Sequence, residues 1–130
     1  MIRIFQILIC VFITSLIGCA DPEKKPGDVK VENARVQQGE KLFKINCASC
    51  HKPDAEMVGP ALKGAQARWG DKKLMYEFIR SSWLVGQKNE YAKKLIAKYN
   101  GQLMPTFTLT DDEIDAIMSY CEFSGETPVN

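Results

Sequence analysis

Asn46-Cys47-Ala48-Ser49-Cys50-His51 is the stretch on which the reading of this chain turns. Two cysteines three positions apart on a helical turn present both sulfurs to one side, with the histidine directly after the second. The run C-x-x-C-H is the attachment pattern of a c-type haem. In that chemistry the sulfurs of Cys47 and Cys50 form thioethers with the two porphyrin vinyl groups, and His51 gives an imidazole nitrogen to the iron. Two other chemistries also use a C-x-x-C pair. A thioredoxin-like redox pair follows a strand in a βαβ unit, and no such pattern surrounds these residues. A zinc site needs a second Cys or His pair, and His51 is the only histidine in the chain.

Upstream of the motif, Asn33 is a helix cap, and Val36, Gly39 and Phe43 recur at helical spacing with Leu42 beside them. A glycine in mid-helix costs about 1 kcal/mol against alanine, so Gly39 is read as a point of close approach to another helix. Further back, residues 1–18 read as a secretory signal: one early positive charge, then a nearly continuous apolar run from Ile4 to Ile17. That run is too short and too lightly flanked for a transmembrane helix. It ends Leu16-Ile17-Gly18-Cys19, which resembles a bacterial lipobox and implies cleavage before Cys19 and acylation of its sulfur; the plainer alternative is a signal peptide with an incidental cysteine. Residues 19–32, with Pro22, Pro26, Gly27 and alternating charges, read as a flexible tether. The expected location is the periplasm-facing side of a bacterial membrane, held by lipid. Cys121 is then a thiol without a disulfide partner, best buried in the last helix.

Downstream, a loop containing Gly59-Pro60 follows His51. Asp71 caps a helix carrying Leu74, Phe78 and Ile79, and Asn89 caps another carrying Tyr91, Leu95 and Tyr99 that stops at Asn100-Gly101. Thr110-Asp111-Asp112-Glu113 is a capping box opening a last helix with Ile114, Ile117, Met118 and Cys121 on one stripe. No alternating strand pattern occurs. With 130 residues, 45% of them hydrophobic and 25% charged, the chain has room for one domain, placed at 33–126 and all-α.

Together these residues resemble a class I cytochrome c: Gly39 and Phe43 before the C-x-x-C-H run, then Gly59-Pro60, then Met104-Pro105, then a last helix with Tyr120. The resemblance implies a small helical fold around one covalent haem c, with the first and last helices crossing at Gly39. It also implies that the Pro60 carbonyl accepts a hydrogen bond from His51 Nδ1, fixing the ring. For the second axial ligand, a lone histidine rules out a bis-histidine pair, and thioether sulfur is the next natural partner of haem iron. Met57 lies in the segment that carries the Gly59-Pro60 turn, and Met75 and Met118 lie in helices as core fillers. Met104 lies in a loop stiffened by Pro105 and matches the family's Met-Pro motif, so it is the expected ligand. Trp69 and Trp83 are left unassigned between core packing and a hydrogen bond to a propionate.

Two filled axial positions imply one-electron transfer rather than catalysis, within a respiratory chain, with redox proteins as partners and no nucleic acid. The rivals are a haem subunit of a larger respiratory complex and a small peroxidase or gas-binding protein. Charge is sorted along the chain: residues 52–98 hold ten basic against five acidic side chains, and residues 111–126 hold six acidic and no basic one. Such sorting suggests a basic face around the haem edge with the acidic helix turned away.

Overall fold

Helix α1 (Pro26–Asn46) runs directly into the C-x-x-C-H motif. The computed structural model describes residues 26–124; the expected signal over 1–18, Cys19, the first part of the expected tether (20–25) and residues 125–130 lie outside them. Five further helices follow: α2 (Ala65–Trp69), α3 (Lys72–Arg80), α4 (Ser82–Gly86), α5 (Glu90–Lys98) and α6 (Asp111–Phe123). No strand occurs among the described residues, and no helix there is long and apolar enough to cross a membrane.

The first helix starts at Pro26 rather than at Asn33, so residues 26–32, read from the sequence as tether, are helical. Proline breaks a helix from inside but opens one well, because its fixed φ suits the first position and its missing N–H would go unused there. The other boundaries follow local chemistry. Asp71 accepts from Leu74 N–H at 3.0 Å and Asn89 from Ala92 N–H at 2.9 Å. Thr110 and Glu113 cap each other's backbone reciprocally. Asn100 and Gly101 both take positive φ, which stops α5. Two five-residue helices had no signal of their own. α2 lies between Gly64 and Gly70, both left-handed, and α4 opens on a Ser81 cap.

α1 and α6 form the closest pairing of the fold. A Cβ at Gly39 would stand 1.8 Å from the carbonyl oxygen of Ala116, so the crossing exists only because position 39 has no side chain. Phe43 and Tyr120 stack beside it with ring centroids 5.3 Å apart. The core collects Phe43, Met75, Tyr76, Ile114, Ile117 and Cys121. A second apolar cluster, Phe78, Val85 and Ala92, joins α3, α4 and α5.

Two members of the basic segment reach across to the acidic last helix. Lys72 pairs with Asp115 at 2.7 Å, Arg80 pairs with Asp111, and both acids lie on α6. Within the middle segment Lys98 pairs with Glu56 at 2.8 Å. Basic α3 packs near acidic α6, and the acidic helix is therefore not set apart from the basic segment.

Candidate haem site

The motif forms the turn that closes α1. Cys47 N–H donates to Phe43 C=O at 2.8 Å, and the N–H groups of Cys50 and His51 both reach Cys47 C=O, at 3.1 and 2.9 Å. This turn brings Cys47, Cys50 and His51 to the wall of one cavity of about 280 Å³, whose far lining comes from α3, α5 and the 102–109 segment. Cys47 is half-buried, and burial, reinforced by Cys50, pushes its thiol up to about 11.

The loop after His51 is stitched back onto the motif. Gly59 N–H donates to Cys50 C=O at 2.9 Å, and Leu62 N–H to Lys52 C=O at 3.1 Å. Arg68 holds its end, donating to the carbonyls of Lys63 and Ala61 at 2.7 and 2.6 Å. The stitching lays the backbone of Gly59 against the imidazole, where a Cβ would stand 2.4 Å from His51 Cε1. His51 is buried, and its Nδ1 lies 2.8 Å from the Pro60 carbonyl. With Nδ1–H donating to that oxygen, Nε2 is the nitrogen left for a metal.

Met104 lines the same cavity from an irregular segment and packs beside the Phe78–Val85–Ala92 cluster. Met75 and Met118 also contribute to the wall, but they are buried within α3 and α6. Met57 is exposed and is not among the lining residues. Trp69 lines the cavity and contacts Phe78 and Tyr91 with centroids 4.8 and 4.9 Å away. Trp83 is 60% exposed and outside it.

Arg68 and Ser82 were not anticipated, and Gly59, expected only as part of a turn, packs against the imidazole itself. Arg68 and Gly59 shape the histidine side, and Ser82, buried at the start of α4, hydrogen-bonds the backbone of Met104 at 2.9 Å. Gly-Pro marks a turn in any sequence, and nothing in Ser81-Ser82 says that the first serine caps a helix while the second reaches across the fold. The donor set suits a covalent porphyrin: two cysteines, an oriented imidazole and a thioether around a mainly apolar hollow.

Comparison with known proteins agrees with this chemistry. A family profile described as Cytochrome c matches residues 36–122. Cytochrome c-551 of Stutzerimonas stutzeri is 49% identical over 43 residues, 32% of this chain and 41% of that protein, so the match spans about two fifths of that relative's length. A solved cytochrome c from Rhodothermus marinus superposes with a TM-score of 0.59 at 31% identity, covering 68% of this chain and 75% of that one. An engineered cytochrome c from the same organism gives 0.61 at 25% identity, covering 85% and 88%.

Proposed function

Because this chain belongs to the cytochrome c family, as a class I monohaem member with one covalently attached haem c, we propose that it carries single electrons between redox proteins. Cys47 and Cys50 would hold the haem covalently, and His51 and Met104 would ligate its iron. The observation that carries this reading is the convergence of all four residues on one cavity, with the His51 ring oriented by Pro60. The haem supplies the one-electron couple when bound. The chain supplies the rest: covalent attachment, a ring fixed by Pro60 and Gly59, a thioether sulfur that favours the reduced metal, and apolar walls that keep water away. Ligation by both side chains would leave the iron no open position for a substrate, which supports electron transfer over catalysis.

The finer part of the proposal concerns place. Cys19 carries lipid, residues 1–18 are removed as its signal, and the domain works on the periplasmic side of a bacterial membrane within a respiratory chain. Support for this comes from the sequence alone.

Three experiments test the reading. Haem in the wild type should resist acid–acetone extraction, and Cys47→Ala with Cys50→Ala should lose it; freely extractable haem would refute covalent attachment. The ferric protein should be low-spin with a sulfur-to-iron charge-transfer band that Met104→Ala abolishes while lowering the potential. Loss of that band in Met57→Ala, with Met104→Ala unchanged, would move the ligand. For the anchor, Cys19→Ser should release a haem-bearing protein from the membrane fraction.

A further inference from the structure

We propose that Ser82 is a positioning residue for Met104, holding its backbone so that the thioether is delivered to the iron and kept there. The inference rests on Met104 being the axial ligand. Ser82 is 1% exposed and lines the haem cavity, where an unpartnered hydroxyl would be costly. A serine in a helix often bonds back to its own preceding turn. Here its oxygen accepts from Met104 N–H at 2.9 Å, and its hydroxyl lies a longer 3.4 Å from Met104 C=O. One side chain on a helix thus addresses both polar groups of a residue twenty-two positions away.

The segment it holds needs such help. Residues 102–110 form no helix or strand, so their backbone groups must find partners elsewhere. The α3–α4 corner provides them: the Arg80 carbonyl accepts from Phe107 N–H at 3.1 Å, and Arg80 Nε donates to Leu109 C=O at 2.7 Å. Of these anchors only Ser82 acts on residue 104. Pro105 already confines the preceding residue to extended backbone. Ser82 fixes the amide on its other side, so the direction of the Met104 Cα–Cβ bond is set before any bond to iron forms. A ligand arranged in advance gives up less conformational freedom on binding and leaves more slowly.

The test is displacement of Met104 in the ferric holoprotein by imidazole, followed through the charge-transfer band at concentrations where opening of the loop limits the rate. Ser82→Ala should speed displacement about tenfold, the size expected from one lost buried hydrogen bond. Ser82→Thr, which keeps the hydroxyl, should stay within about twofold of wild type. Arg80→Gln loosens the same segment at Leu109 and should raise the rate less than about threefold. A wild-type rate in Ser82→Ala, equal acceleration in Ser82→Thr, or equal acceleration in Arg80→Gln overturns the proposal. If Ser82→Ala does not fold or load haem, hydrogen exchange on the wild type decides: the Met104 amide should be protected, and exchange at the rate of a free amide overturns it. Failure of the ligand assignment is separable, since the band would then survive Met104→Ala.

Discussion

Glycine 59 is where one missing methyl group decides whether His51 can sit as it does. A Cβ there would meet three atoms of the imidazole, the nearest at 2.4 Å, and the loop behind it is fixed by the Gly59–Cys50 hydrogen bond. Gly59→Ala should therefore destabilise the holoprotein by about 1–3 kcal/mol and tilt the ring off its Pro60 acceptor. The ferric spectrum and the thermal midpoint check this; an unshifted spectrum with wild-type stability counts against the contact. The same scale governs Cys121. It is fully buried, and burial with the nearby Cys47 pushes its thiol up to about 12. It should remain unalkylated by iodoacetamide in the native holoprotein and react only after denaturation. Cys47, Cys50 and His51 could be singled out because the motif compresses their chemistry into neighbouring positions. Gly59 and Ser82 could not, since each acts on a partner whose position only the fold reveals.

At the level of elements, the α1–α6 crossing is a contact between backbones. Gly39→Ala would drive a methyl into the Ala116 carbonyl, and the helices must part to admit it. A loss of about 3 kcal/mol or more is expected in denaturant unfolding, together with disturbed Phe43–Tyr120 packing. Between α3 and α6, Asp115 receives Lys72 and the Tyr76 hydroxyl. Burial pushes the Asp115 carboxyl up, but these two donors outweigh it and hold the group below its ordinary range. A depressed carboxyl stabilises the fold above its unfolded pKa of roughly 4, and that contribution is lost as pH falls through the lower folded value. Asp115→Asn should thus lower the thermal midpoint at neutral pH, and its gap to wild type should narrow below about pH 4. Helices with a cap and an apolar stripe were readable in advance, down to Asp71, Asn89 and Thr110. α2 and α4 were not, because five residues are too few to show a period and tertiary packing holds them.

Over the whole molecule, net charge is +1, and the basic and acidic segments interlock through Lys72–Asp115 and Arg80–Asp111. A sequence reading sees charge order along one dimension, whereas a fold that crosses its first and last helices brings the ends of that order together. These two pairs tie the basic segment to the acidic helix and shorten the separation of charge that the chain order implies. Electron self-exchange between ferric and ferrous copies should accordingly change by less than about threefold between roughly 0.05 and 0.5 M salt. A steep rise with salt would show a strong single-sign face around the exchange surface.

The early start of α1 has a mechanical consequence. Its 21 residues make a rod about 31 Å long, and residues 31–38 are exposed except for half-buried Val36. If lipid holds Cys19, seven residues, 19–25, stand between the anchor and the rod, and they span at most about 25 Å. The first half of α1 would then act as a stiff boom between the anchor and the haem cavity. Under that anchor, adding residues within 19–25 would extend how far the haem can go. Breaking the helix with Val31→Pro would instead change which way the haem faces when it arrives.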